Sequence, residues 1–447
     1  MEIVNRFFDF EMRNGLFDIV DQYGLRPWEA IRYEVMMRVL HDSSPSFVSI
    51  NTRSPFNIRL KTILNKLYKS FLYILCHRNR ENLFYLCSRD KKEGSLYDKV
   101  SDDLYNLVDK NSRFTIESTV SYLEPNYKYG SEVSPDIPLF FAKFVHYKYD
   151  FSDILEHLRK EFPSCSIDIN VMNECYRLFV TEYKFYKLLF RWCRTKRVFM
   201  VQNGIRKGMF AAANELGVTI FELQHGQISM NHSAYSYPCE EYLSATKIYH
   251  PNYLLTFGAF WTKNRCYPGV ENIVLGNNSY GEVIDSPDVH GNKKLLVISN
   301  NIEGPLLADR VMEVLKKDST FMFYFKLHPN QFSEFEVYKS RFNDFDRVEV
   351  VSNQQSINQL LAQCEGVFLN QSTVELEALR IGRKVFVLTE QRYEAMDFVF
   401  GEEGVYLCKD VDEFLEKYEK NKDVKLTPRD DLFVKFDENV ARRVIQL

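Results

Sequence analysis

The chain lacks several things that would each have fixed its class at once. No stretch approaches the roughly 20 consecutive apolar residues of a membrane-spanning helix. The first residues, MEIVNRFFDFEMRN, carry acids inside their apolar stretch, so no signal peptide is expected there. There is no CxxC pair. The nine cysteines stand singly, as at Cys87, Cys193 and Cys364, which argues for reduced thiols and against a disulfide framework or a zinc site. There is no basic excess: 57 Lys and Arg face 61 Asp and Glu, a net charge of −4, which argues against a general nucleic-acid binder. Low-complexity segments and repeats of solenoid period are also missing. These absences together predict a cytoplasmic, globular protein.

With 447 residues, 45% of them hydrophobic, the chain exceeds what one core normally serves, so two or three domains are expected. Aromatic residues reach 15%, with 36 Phe and 27 Tyr, and aromatic-rich cores account for them better than sugar-stacking surfaces do. In the segment 59–76, Ile63, Leu64, Leu67, Phe71 and Leu75 share one helical face, ringed by Arg59, Lys61, Lys66 and Lys69. Packing of that helix on its own domain is the simpler reading. A basic amphipathic helix also suits the surface of an anionic membrane.

Along the chain, 82–87 (NLFYLC) reads as a buried strand, followed by a polar loop holding Gly94 and a helical pattern over 97–108. The signal sharpens at 197–202, a strand, with a helix over 206–216 stopped by Gly217 and a second strand at 218–223. That is a parallel βαβ unit. A further strand is expected at 253–257. Turn formers crowd 277–292, which sets the boundary between a first domain, 1–285 with a helical N-terminal extension, and a second, 286–447. In the second, short apolar runs at 294–299, 321–327, 348–351, 366–369, 384–388 and 405–407 alternate with helical patterns. Six such strands make a doubly wound sheet that binds ligands at its carboxyl edge. Residues 438–447 can form a helix that crosses back to the first domain. The fold class is therefore α/β, with two Rossmann-like domains facing each other across a cleft.

Three short stretches carry the chemistry. Lys326-Leu327-His328-Pro329-Asn330 ends a strand, and Pro329 fixes the exit so that His328 sits at the sheet edge, able to donate to a phosphate. Asn370-Gln371-Ser372-Thr373 leads into a helix, with Ser372 and Glu375 at capping-box spacing. Free N–H groups there attract anions. Glu377, one turn on, can reach a ribose hydroxyl. Finally, Gln224-His225-Gly226 follows a strand, and an imidazole titrating near neutrality suits removal of a hydroxyl proton. His232, Tyr235 and Tyr237 follow as possible acceptor contacts. Asp90, Glu93 and Asp98, in the first strand-to-helix loop, are rival bases.

KLHP followed by a strand-ending Ser-Thr resembles the motifs of bacterial polysialyltransferases. The QHG element is similar to that of teichoic-acid glycerophosphotransferases. The stretch VFMVQNGIRKGMFAAANELGVTIFELQHG resembles capsular Kdo transferases. The resemblance spans roughly 195–390. It implies a metal-independent GT-B glycosyltransferase with no required cofactor, acting in O-antigen, lipopolysaccharide or capsule synthesis. It makes His225 the candidate base and assigns His328, Pro329, Ser372 and Thr373 to the donor phosphates. The donor would be a CMP-sugar such as Kdo or sialic acid, with CDP- and UDP-linked donors open. The acceptor would be a glycan or lipid-linked oligosaccharide, with peripheral contact at the inner membrane's cytoplasmic face. Where polysialyltransferases show an acidic pair before a glycine, this chain has Lys92-Glu93-Gly94, with one acid. The alternatives are a CDP-polyol phosphotransferase moving glycerol or ribitol phosphate, a non-catalytic nucleotide- or glycan-binding subunit, and a UDP-sugar epimerase, which would need no acceptor.

Overall fold

The computed structural model describes residues 2–42, 56–88, 90–92, 94–117, 128–201, 206–229, 232, 234–238, 247–262, 269–281, 287–300, 303–390 and 398–447. The chain forms two compact units, Met1–Gly281 with Val434–Leu447, and Glu282–Phe433. Each contains a six-stranded, all-parallel sheet, so the expected α/β class with two doubly wound domains is observed.

In the first unit the strands are β1 (Asn82–Leu86), β2 (Arg113–Glu117), β3 (Arg197–Val201), β4 (Thr219–Leu223), β5 (Tyr253–Thr256) and β6 (Glu271–Val274). They lie in the order β2-β1-β3-β4-β5-β6. Side chains alternate between faces as a pleated strand requires. Leu83, Phe114, Val198 and Ile220 bury on one side against Phe190 and Ala212, and Phe84, Phe199 and Phe221 on the other against Leu104. The first face is covered by helices α7 (Ile169–Cys193) and α8 (Lys207–Glu215). The N-terminal helices Glu2–Arg13 and Pro27–Asp42 build a separate core with α7, around Trp28, Phe7 and Tyr176. Within it Glu11 accepts from Arg32 and from Trp28, all buried. The 97–108 segment does not form one helix. Asp90–Lys92 and Ser95–Tyr97 pair as a small hairpin, and the helix α4 runs only from Asp102 to Leu107.

The second domain ends earlier than the expected 447. Backbone bonds from Val434 to Phe257, Asn277 to Val434 and Asp437 to Leu275 stitch the returning chain to the first unit. The last helix, Glu438–Gln446, buries Ala441 and Val444 in the cluster containing Phe84 and Leu104. A Cβ on Gly276, whose φ is +72°, would collide with the carbonyl oxygens of Val434 and Lys435. Glycine is what lets the two segments lie this close.

The second unit has β7 (Lys294–Ile298), β8 (Met322–Lys326), β9 (Val348–Val351), β10 (Gly366–Leu369), β11 (Lys384–Leu388) and β12 (Val405–Cys408), in the order β9-β8-β7-β10-β11-β12. This is the 3-2-1-4-5-6 order of dinucleotide-binding sheets, whose strand order reverses between β7 and β10.

The basic amphipathic helix Phe56–Cys76 docks on the first unit through Leu67, Tyr73 and Ile74, and Ser70 Oγ accepts from Ser134 N–H. The helix thus packs on its own domain, but not through the face expected: Leu64, Phe71 and Leu75, with Tyr68, point outward, Phe71 at 60% exposure. No helix among the described residues is long and apolar enough to cross a membrane.

Candidate active site

In open parallel sheets ligands settle beyond the carboxyl ends of the strands, where the strand order reverses. In the first unit that point lies between β1 and β3. A cavity of about 220 Å³ opens there, lined by Cys87 after β1, Val201 ending β3, and His225 two residues beyond β4. Asp90, Asp98, Lys99, Val100 and Tyr280 complete it. The structure thus brings together His225, Asp98 and Asp90 from the sequence-predicted set. Glu93 lies outside the described residues.

The strand end holding His225 is fixed by its neighbour. Gln224 is fully buried. Its backbone N–H donates to Leu255 O at 2.9 Å, its side-chain oxygen accepts from Phe257 N–H at 2.9 Å, and its amide donates to Gly226 O at 2.9 Å. These bonds tie the β4 exit to the β5 exit. Gly226 has an ordinary φ and open space where a Cβ would sit, so nothing at this position requires glycine.

Asp98 is buried, at 2% exposure, and already occupied. It accepts from the backbone N–H groups of Cys87 (3.0 Å), Val100 (2.9 Å) and Ser101 (3.4 Å). Desolvation raises its pKa against the lowering effect of those donors. It holds the loop that walls the cavity. Lys99, which the sequence reading passed over, lies 3.6 Å from Asp90 and 4.6 Å from the centre of the Tyr280 ring.

Glu117 was also missed. It ends β2, beside β1, and is fully buried. Its carboxyl accepts from Ser88 N–H at 2.7 Å and Ser88 Oγ–H at 2.9 Å, one residue beyond the cavity-lining Cys87. Burial pushes its pKa up to about 7; the Ser88 donors pull the other way, and the nearby Asp98 charge adds to the rise. The strand RFTIE carries too many polar residues to read as buried, so the sequence offered no signal for it.

Tyr235 and Tyr237 are not acceptor contacts. Both are buried: Tyr235 donates to Glu222 at 2.9 Å and Tyr237 to Glu29 at 3.2 Å, with Arg32 4.0 Å above the Tyr237 ring. Tyr237 packs in the core of the N-terminal helices, and Tyr235 is anchored to Glu222 on β4. His232 accepts from Ala234 N–H at 3.2 Å, and burial lowers its pKa to about 4.

In the second unit, His328 and Ser372 lie at the same sheet edge, beyond β8 and β10, with β7 between them. At about 4.8 Å per strand the two exits stand roughly 10 Å apart. His328 is exposed, and its Nδ1 accepts from Asn330 N–H at 3.3 Å, which leaves the neutral ring's proton on Nε2 as a donor. Pro329 opens the short 3-10 helix Pro329–Glu334. The predicted cap is shifted by one residue: Thr373 precedes the helix α12 (Val374–Arg380). Ser372 Oγ accepts from Val374 N–H at 3.3 Å, and Glu375 accepts from Ser372 N–H at 3.1 Å. Glu377 lies half-buried on α12. Across the reversal point, Gln371 donates to Glu303 at 3.2 Å, so the β7 and β10 exits are linked. No group of His, Cys, Asp and Glu suited to a metal occurs among the described residues.

No family model matches the chain, and no curated protein matches it. Among solved structures, it is similar to UDP-GlcNAc 2-epimerase of Methanocaldococcus jannaschii in complex with UDP-GlcNAc and UDP: 11% identity, 82% of this chain, 98% of that one, TM-score 0.45. It is also similar to the Neisseria meningitidis UDP-GlcNAc 2-epimerase bound to UDP-GlcNAc (13%, 82% and 98%, TM-score 0.43). A third is MurG of Acinetobacter baumannii (9%, 82% and 100%, TM-score 0.44). At these scores and identities the likenesses identify neither a family nor an activity.

Proposed function

We propose that the protein is a metal-independent glycosyltransferase of the GT-B kind, moving a sugar from a nucleotide-activated donor to a hydroxyl of a glycan acceptor in bacterial surface-polysaccharide synthesis. The observation that carries this reading is the cavity at the β1/β3 reversal point, where His225 meets Asp98 and Asp90. In the proposed reaction the acceptor oxygen attacks the donor's anomeric carbon, its proton passes to His225, and the bond from that carbon to the phosphate oxygen breaks. The nucleotide leaves with that bond's electrons. His328, donating from Nε2, and the hydroxyls of Ser372 and Thr373 are proposed to hold its phosphate, with Glu377 towards the ribose. The donor we favour is a CMP-sugar such as Kdo or sialic acid.

The Phe56–Cys76 helix is not alone in exposing apolar residues on the first unit. Trp192 donates to Ile74 O at 2.6 Å and lies under Arg78, and Leu188, Phe141 and Phe144 are exposed as well. An apolar surface rimmed by Lys66, Lys69, Arg78 and Lys143 suits an anionic membrane. We therefore propose a cytoplasmic enzyme that sits peripherally on the inner membrane, where a lipid-linked acceptor would be met.

A thermal-shift screen with CMP, CDP, UDP and GDP tests the donor. A nucleotide at one hundred times its dissociation constant stabilises by about 2.7 kcal/mol. Stabilisation by CMP above the rest supports the reading, and no response to any nucleotide contradicts it. Product analysis with labelled donor then separates sugar transfer, which frees the nucleotide with its phosphate, from attack at phosphorus by a polyol phosphotransferase.

A further inference from the structure

The second unit holds another cavity, of about 210 Å³, which the proposed activity does not use. Its lining includes Glu365, immediately before β10, and Arg383 and Lys384, at the start of β11. It therefore lies at the amino edge of the sheet, opposite the edge that carries His328 and Ser372.

Arg383 is the residue that needs explaining, because it is only 8% exposed and no carboxylate lies within salt-bridge distance among the described residues. Its Nε donates to Leu361 O at 3.3 Å, and one terminal nitrogen donates to Ala362 O at 3.4 Å and Pro287 O at 2.9 Å. Leu361 and Ala362 are in the last turn of the helix Ile357–Gln363, so Arg383 caps its negative end. That role accounts for two of its three nitrogens. The other, Nη1, makes no hydrogen bond among the described residues. Desolvation lowers the pKa of Arg383, as expected of a buried cation without a full counter-charge. His290 also lines the cavity, and its Nε2 is buried with no hydrogen-bond partner among the described residues.

Two carboxylates, Asp288 and Glu365, also line the cavity; both favour the charged form of Arg383, and Glu365 that of Lys384, but each is engaged elsewhere. Asp288 is held by Lys425 at 2.8 Å. Glu365 accepts from Gly291 N–H at 2.8 Å and from the Tyr418 hydroxyl. Lys384 is 3% exposed and donates to Lys422 O at 2.8 Å, which leaves two of its protons for another acceptor. A little-exposed cation with no carboxylate at salt-bridge distance leaves room for a further acceptor, and a guanidinium is matched best by a carboxylate or phosphate.

We propose that this cavity is a binding site for a small oxyanion, a phosphoryl or carboxylate group held by Arg383 Nη1, His290 Nε2 and Lys384 Nζ. It is separate from the edge proposed to hold the donor nucleotide.

Calorimetric titration of the full chain with inorganic phosphate, and separately with citrate, at fixed ionic strength tests this and tells the two oxyanion sources apart. At least one of the two should bind one-to-one to a site outside the nucleotide edge. Arg383→Met should weaken that binding at least tenfold, and His290→Gln several-fold. His328→Ala should leave it unchanged. Should Arg383→Met fail to fold for want of its helix cap, His290→Gln decides alone, since the His290 side chain makes no hydrogen bond to that helix end among the described residues. The proposal is overturned if neither anion binds at about 10 mM, a free energy weaker than about −3 kcal/mol, or if His290→Gln binds as the wild type does.

Discussion

Glu117 offers a test of the physical reasoning at the proposed catalytic edge that needs no substrate. Its carboxyl is fully buried at the end of β2, and burial raises its pKa from 4.5 to about 7. Once the group ionises, each pH unit by which the folded value exceeds the unfolded one costs about 1.4 kcal/mol. The rise therefore amounts to about 3 kcal/mol. The sign follows from proton counting: between pH 4.5 and 7 the folded state binds more protons than the unfolded, so this contribution to stability is complete below 4.5 and lost as pH rises through 7. Glu117→Gln keeps an acceptor for Ser88 N–H and cannot ionise. Its stability relative to wild type should therefore climb by about 3 kcal/mol between pH 4.5 and 8. Urea unfolding followed by tryptophan fluorescence reads the right unit, because Trp28, Trp192 and Trp261 all lie in the first. Titrating groups that do not act on Glu117 cancel in the difference, and Asp98, the carboxylate that does, is the smallest of the causes of its shift. A difference that stays flat with pH, or falls, would refute the burial argument for this carboxyl.

Further outcomes follow from the same contacts. His328→Ala should weaken nucleotide binding about tenfold in calorimetry, the worth of one hydrogen bond to a charged phosphate, without changing the melting temperature, because the ring is exposed. Gly276→Ala should lower the urea midpoint of the first unit by the equivalent of about 2 kcal/mol or more, since it meets both a left-handed φ and the Val434–Lys435 backbone. Gly226→Ala, with open space and an ordinary φ, should fold as the wild type does. Flotation with vesicles containing anionic lipid should carry the wild-type chain upward and leave a Phe71→Asp, Leu75→Asp double variant behind; equal flotation of the two would remove this surface from the account.

Most of the second unit was legible because fully buried parallel strands read as unbroken apolar runs, as in KLLVI and KVFVL. The strands that escaped notice are those whose burial is not apolar or not complete. β2 carries Thr115 and Glu117 inward, satisfied by Glu132 and Ser88, and β6 is an edge strand with half-exposed residues. His225 and Asp98 could be named from local pattern, and the strand order then accounts for their meeting. That Asp98 would be engaged by three backbone donors was not readable, because those bonds depend on where Cys87 and Ser101 end up. Tyr235 and Tyr237 were misread because a tyrosine near a histidine looks the same in sequence whether it faces a ligand or a buried glutamate. The cap at Ser372 slipped by one residue, within the ordinary uncertainty of helix ends.

The most direct test of the central claim is turnover of labelled donor by His225→Ala, with nucleotide affinity measured on the same sample. A base acting on the acceptor hydroxyl contributes about 10²- to 10⁴-fold. Turnover should fall by that much while nucleotide binding is unchanged. Undiminished turnover would mean that the acceptor's proton leaves by another route and that His225 is not the base.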